Sequence, residues 1–280
     1  MPKISSFRKP QRRFKKKKSI FKSRFFWIAT LILFVVGTVF YFVFFSDFFQ
    51  VKEIRISGNQ EVHDSDIENN IRNQIFHKFF FFSSKSIFLV NFKKINEIIL
   101  KKFPQIAQIN LRRKFPDAVI IEIKEREPVG VWCQLHQATS ANYQLLSVED
   151  CYLFDEKGIA FKKNDRNIES LLFVKDLNKR KEIELGRQVI NKKIIKAIQE
   201  IKTKLSSIRI SIKEFILFSD KRLNVKTSQG WEVYFNPEKD IDWQIKKLNL
   251  VLEKQIPLEN RKDLEYIDLR FGNLAPFKYK

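Results

Sequence analysis

Between Phe25 and Phe45 the chain runs for 21 residues, FFWIATLILFVVGTVFYFVFF, without one charged side chain. As an α-helix rising ~1.5 Å per residue, this stretch spans about 32 Å, which matches a hydrocarbon core of roughly 30 Å. A buried helix of a soluble domain is usually shorter and carries a polar face, so the segment reads as a transmembrane helix. No other stretch of the sequence has that length and character. Residues 1–24, just before it, hold eleven Lys or Arg and no Asp or Glu. Basic residues flanking a span stay in the cytoplasm, so the chain after about Ser46 is expected outside. A cleaved leader would have an apolar core of about 7–15 residues ending in small residues. Here the run ends in Phe44-Phe45-Ser46-Asp47-Phe48-Phe49, and an uncleaved single-pass anchor is expected.

The formal net charge of +21 raises the question of nucleic acid. Removing the eleven tail charges leaves 42 of the 53 basic residues against 32 acidic ones, with no dense basic stripe among them. The tail is better explained as a topology signal that also attracts anionic lipid headgroups. The lipid bilayer is thus an expected partner, and nucleic acid is not.

The residues beyond the span have room for two modest domains. Val51–Ile56 is rich in β-branched residues and ends at Gly58-Asn59, a strand and a turn. Ser65 with Glu68 suggests a capping box, and Ile67, Ile71 and Ile75 recur on one helical face. A second helix carries Phe92, Ile95, Ile99 and Phe103 and stops at Pro104. Strands follow, with Ile109 and Leu111, then a turn at Phe115-Pro116-Asp117, then Val119, Ile121 and Ile123. The order within residues 48–127 is β-α-α-β-β. The run Phe79–Phe82 is too short to span and too apolar for water, so it either closes this small core or dips into the nearby membrane, with core packing favoured.

From Pro128 the pattern changes to short strands and turns, and residues 128–271 form a second unit that is β-rich with packed helices. A helix carries Ile194, Ile198, Ile201 and Leu205, and another begins at Asn236-Pro237 with Ile241, Ile245, Leu248 and Leu252 as its stripe. Tyr266–Phe271 is expected to be the closing strand and a sheet edge, with residues 272–280 a short tail. The fold class is therefore α+β behind one N-terminal transmembrane helix.

Chemistry is sparse. Cys133 and Cys151 lie on the external side, where an oxidising compartment would allow one disulfide across about 18 residues, worth roughly 3 kcal/mol; two unpaired thiols are the alternative. Cys133 with His136 is the only compact nucleophile-and-base pair, and with Cys151 it falls short of a zinc set. His63 and His77 lie in the other domain. There is no phosphate-binding loop among seven glycines and no paired-carboxylate motif, so neither an enzyme, a cofactor, a metal nor a small-molecule substrate is expected. A membrane-anchored thiol hydrolase built on Cys133 and His136 is the enzymatic alternative.

Several fragments in fixed order carry a resemblance: Ile54-Arg-Ile-Ser-Gly58-Asn59; Phe115-Pro116 leading to Ile121–Pro128; Phe154-Asp155-Glu-Lys-Gly158; Leu185-Gly186; and Tyr266-Ile-Asp-Leu-Arg-Phe271. Together they resemble the FtsQ/DivIB family of bacterial division proteins. The resemblance implies a polypeptide-transport-associated (POTRA) domain at 48–127 and an FtsQ/DivIB-type domain at 128–271. It also implies a divisome scaffold at the septal plasma membrane that binds FtsB/DivIC-like and FtsL-like coiled-coil partners and regulates septal peptidoglycan synthesis. Carried over position by position, partner binding falls on Tyr266, Asp268, Arg270 and Phe271. Alternation along that strand puts Ile267 and Leu269 toward the core and Tyr266 and Arg270 outward, with Phe271 able to serve either side. A POTRA-bearing translocation or outer-membrane assembly component is the other alternative, but it would show repeated POTRA units and membrane strands.

Overall fold

The computed structural model describes residues 23–79, 82–135, 149–164, 171–177 and 183–280. Helix α1 (Arg24–Phe45) is the predicted span; none of its residues is buried, and it is long and apolar enough to cross a membrane. A single 3-10 turn, Asp47–Phe49, follows, with the Phe48 N–H donated to Ser46 Oγ.

Next come β1 (Glu53–Ser57), α2 (Asp64–Ile75), α3 (Phe92–Lys102), β4 (Ile106–Lys114) and β5 (Ala118–Glu125), with β1, β5 and β4 in that order in a three-stranded sheet. The predicted β-α-α-β-β order is present. Between the helices lies an added hairpin, β2 (His77–Phe79) and β3 (Phe82–Ser84), at the phenylalanine run. Phe80 and Phe81 lie outside the described residues. Ile67, Ile71, Ile75, Ile95 and Ile99 are all buried, as their spacing requires. The capping box does not form, because α2 begins at Asp64 and Ser65 lies inside it. Asn59 Nδ2 instead donates to Asp64 Oδ1, and Glu68 pairs with Arg72.

The C-terminal portion is one nine-stranded mixed sheet. In chain order its strands are β6 (Gly130–Leu135), β7 (Glu149–Phe154), β8 (Ala160–Lys163), β9 (Leu172–Asp176), β10 (Ile212–Ser219), β11 (Arg222–Thr227), β12 (Glu232–Phe235), β13 (Leu264–Asp268) and β14 (Phe277–Tyr279). Across the sheet the order is β14-β13-β12-β11-β10-β9-β6-β7-β8. Parallel neighbours cannot be joined by a tight turn, and the chain supplies a helix at two such steps. Helix α4 (Lys192–Ser207) connects β9 to β10, and α5 (Ile241–Lys254) connects β12 to β13. Their apolar faces and one face of the sheet share a core that includes Trp132, Phe154, Ile198, Leu205, Trp231, Phe235 and Leu248. The other face holds a small cluster of Val131, Cys133, Leu153 and Phe161. Alternation along β6 decides this division, sending Trp132 to one side and its neighbours to the other. Helix α5 begins at Ile241, with Asp240 accepting the Trp243 N–H, several residues after the predicted start at Asn236-Pro237.

Two compact units emerge from the backbone. One gathers the chain up to Glu53 with Gln74–Val90 and Arg113–Val119; the other holds Ile54–Asn73, Asn91–Arg112 and Ile120–Lys280. Within the second unit, the fragments that carry the family resemblance form joints. Gly58 has φ +89°, and a Cβ there would lie 2.2 Å from Ile123 O, so only glycine fits. Glu125 accepts the N–H groups of Gln60, Glu61 and Val62. Burial opposes its charge, but those three donors hold its carboxyl below the usual range. Arg126 pairs with Asp155, both nearly buried, while Asp155 Oδ1 accepts the N–H groups of Lys157 and Ile159.

Candidate partner-binding surface

The four positions singled out in the closing segment lie at one end of the nine-stranded sheet. The expectation that their strand is the sheet edge is corrected by the topology. Strand β13 pairs in parallel with β12, setting Glu232 opposite Tyr266 and Tyr234 opposite Asp268, and antiparallel with β14, setting Tyr266 opposite Lys278. The edge among the described strands is β14, three residues within the short tail expected at 272–280. A strand so short, following Pro276, has no periodicity to detect.

On β13 the side chains interlock. The Tyr266 ring stacks on Tyr234 with centroids 4.8 Å apart and planes 13° from parallel. Arg270 Nε donates to Asp268 Oδ1 at 2.9 Å and Nη2 to Oδ2 at 2.5 Å, while the guanidinium lies 5.7 Å from the Tyr234 ring. Arg222 covers the same ring at 4.8 Å. Asp268 is buried, and desolvation works against its charge, yet the bonds from Arg270 and the charges of Arg270 and Arg222 keep its carboxyl below the usual carboxylate range. Burial pushes the Tyr234 hydroxyl above its ordinary value. Asp268 shares the strand face of Tyr266 and Arg270, opposite the core, yet it is buried beneath its partners and anchors the network. Ile267 and Leu269 are in the core as expected, whereas Phe271 lies beyond the strand and is exposed.

Helix α5 contributes a feature that the sequence reading missed. Lys247 is buried, and its Nζ donates to the carbonyls of Leu269, Phe271, Gly272 and Leu274 at 2.6, 2.9, 3.0 and 3.1 Å. Burial lowers its pKa, with Lys239 adding to the effect. An ammonium has three protons, so at least one is shared between two carbonyls. The link between β13 and β14 thus wraps around a lysine. The available signal was positional: residue 247 falls three after Gln244 and four before Val251, on the buried face, where a lysine needs partners.

The register of β14 fixes what its outer side offers. Asp268 donates its N–H to Pro276 O, and Lys280 donates to Asp263 O, so even-numbered residues of this strand bond inward. The backbone groups of Phe277 and Tyr279 point the other way. Beside them a groove of about 580 Å³ is lined by Leu250, Val251, Lys254, Leu274 and Phe277.

At the opposite end of the sheet, Cys133 and Cys151 face each other across β6 and β7 and are joined by a disulfide. With no thiol left on either cysteine, the nucleophile of the thiol-hydrolase alternative is consumed. His136 lies outside the described residues. Among the described residues, no group of three His, Cys, Asp or Glu is placed to hold a metal.

A POTRA-type sheet with two helices, preceded by an apolar helix long enough to cross a membrane and followed by a mixed sheet, defines a class of membrane-anchored, multi-domain protein. Comparison with known proteins narrows it. Residues 49–126 match the model of the POTRA domain, FtsQ-type, and residues 146–270 match that of the cell division protein FtsQ/DivIB C-terminal domain. The chain belongs to the FtsQ/DivIB family of cell-division proteins. It is 22% identical to the cell division protein FtsQ of Neisseria gonorrhoeae over 228 residues, covering 81% of this chain and 78% of that one. It is 24% identical to the cell division protein DivIB of Clostridium tetani over 240 residues, covering 82% and 80%. Against FtsQ of Rickettsia prowazekii the identity is 25% over 227 residues, covering 80% and 70%. The POTRA match is of the division type, which removes the reason for a translocation or barrel-assembly reading. The family is one of division proteins and not an enzyme family.

Proposed function

We propose that the chain is a bitopic scaffold of the bacterial divisome that captures FtsB/DivIC-like and FtsL-like coiled-coil proteins at the β14 end of its large sheet. The basic residues before α1 argue for a cytoplasmic N-terminus, so the POTRA and C-terminal domains stand outside the plasma membrane at the septum. The observation that carries the reading is the edge position of β14, with outward backbone groups at Phe277 and Tyr279 alongside a groove of mixed apolar and basic lining. An extended segment adds to such an edge by main-chain hydrogen bonds, and a neighbouring helix of the same partner fits a groove. Tyr266 sits opposite Lys278 of the edge strand, and Arg270 is held by Asp268, so both support the edge from beside it. Scaffold and partners share one membrane, which raises their effective concentration and lets modest contacts suffice. In this way the assembly would govern septal peptidoglycan synthesis without a catalytic group of its own.

Tyr279→Pro removes an outward N–H and leaves the inward bonds of Pro276 and Lys280 in place. Capture of the co-expressed coiled-coil proteins by the full chain should fall severalfold, while the circular dichroism of the variant is unchanged. Undiminished capture by the folded variant would overturn the assignment. Depletion in the native cell should give filaments without septa.

A further inference from the structure

We propose that the base of the protein, beyond the end of α1, is a lipid-contacting collar in which the rings of Phe48, Phe88 and Phe115 lie in the headgroup region of the bilayer that α1 crosses. The proposal rests on α1 being a transmembrane helix and adds that the folded portion beside it also touches lipid. All the residues concerned belong to the compact unit that contains α1.

Phe48, Phe88 and Phe115 are 54%, 42% and 56% exposed, an unusual amount of aromatic surface for three phenylalanines drawn from three separate segments. They are not scattered. A chain of ring contacts runs from the helix outward: Phe42 to Phe49 at 5.8 Å, Phe49 to Phe88 at 5.3 Å, and Phe88 to Phe115 at 5.4 Å, with Phe48 packed edge-on to Phe49 at 4.9 Å. The exposed face of these rings is therefore continuous with the apolar surface of α1, and the occupant that covers one covers the other. Aromatic rings favour the zone between acyl chains and water, and cations beside them suit anionic headgroups. In the same compact unit, Lys85 holds its Nζ 4.6 Å from the centroid of the half-exposed Phe76 ring, a second aromatic–cation pair outside the three collar rings.

The collar is held rigidly. Two of the helix's C-terminal carbonyls are taken by side chains of the folded portion: Ser84 Oγ donates to Phe44 O at 2.6 Å, Ser86 Oγ to Val43 O at 3.0 Å, and Gln50 Nε2 to Phe44 O at 3.2 Å. Carbonyls at a helix end have no partner in their own helix, and near hydrocarbon each unmet one is costly. Ile87 N–H donates to Phe49 O, and Arg113 reaches Ile87 O and Val90 O at 2.9 Å each, which ties the turn bearing Phe88 to the segment bearing Phe115. With no swivel between helix and collar, burying α1 to its last turn brings the rings to the interface.

The test uses the full chain in vesicles of phosphatidylethanolamine and phosphatidylglycerol, with an environment-sensitive fluorophore on Phe88→Cys or Phe115→Cys. Quenching by acyl-chain nitroxide lipids should exceed quenching by aqueous iodide severalfold at both positions. Preferential iodide quenching at 88 and 115, or shielding from both quenchers by a second copy, overturns the collar, provided a label at Leu33→Cys is quenched by the lipid nitroxide. If the Leu33 label is not quenched by lipid, the transmembrane reading itself fails. A label at Lys114→Cys keeps all three rings and must show the same lipid preference; iodide quenching there counts against the proposal even if the phenylalanine replacements disturb the turn.

Discussion

Aromatic and basic residues gather at two places in this molecule, with opposite outcomes. At the β13 end of the large sheet, Tyr234 and Tyr266 are stacked and clamped by Arg222 and Arg270, with Asp268 neutralising the cations from below. Beside α1, the rings of Phe48, Phe88 and Phe115 touch one another but leave their outer faces open. The difference lies in the polar handle. Tyrosine and arginine satisfy one another within a sheet, whereas phenylalanine has only its apolar area to offer, and an open apolar area needs a medium to receive it. The first cluster spends its binding capacity internally and stiffens a strand; the second keeps it for something outside the chain.

Stability measurements can break this contrast. The largest effect is expected at Lys247, where Lys247→Met removes the shared donor of the buried Leu269 carbonyl and of the part-buried carbonyls of Phe271, Gly272 and Leu274 and should cost about 3 kcal/mol in urea unfolding. A loss below about 1 kcal/mol would mean that the β13–β14 link does not depend on the ammonium. Asp268→Asn should cost about 2 kcal/mol, because it weakens charge-assisted bonds from Arg270. Asp268 has a folded pKa below its unfolded value, so its contribution is complete above the ordinary carboxylate value of about 4 and is lost as pH falls through the lowered folded value. Acid titration of unfolding should therefore show a smaller drop in Asp268→Asn than in the parent. The smallest effect is expected at the open cluster: Phe115→Ser in detergent should change stability by no more than about 0.5 kcal/mol. A loss several times larger would place that ring in the core and erase the distinction.

How much of this was legible in the sequence follows from what each element depends on. The helices α3, α4 and α5 were readable because a period of 3.6 over eleven or more residues leaves little ambiguity, and Ile194, Ile198, Ile201 and Leu205 are all buried as that period demands. The span was readable from its length and lack of charge alone. Strand β14 was not, since three residues carry no pattern and their pairing depends on β13 arriving beside them through a crossover. Lys247 was hidden because a lysine in an amphipathic helix is ordinarily solvated, and only the carbonyls brought round by the β13–β14 link make burial tolerable. Ser65 misled through a motif correct in letters but two residues past the true cap position, since α2 starts at Asp64. In the candidate site, the four named residues do lie together, but edge and interior were exchanged, because strand order in a sheet is set by long-range pairing that no local window contains.

The hydrogen bonds by which Ser84, Ser86 and Gln50 grip the last carbonyls of α1 also bear on motion. A transmembrane helix joined to its outer part by a slack linker can spin and tilt unnoticed. Here three side chains from two segments hold two successive carbonyls, and the joint behaves as a keyed shaft rather than a tether. A turn of the helix about its own axis, such as a neighbouring span in the same membrane would impose, carries the segment Ser84–Val90 around by the same angle, so orientation inside the bilayer becomes orientation at its surface.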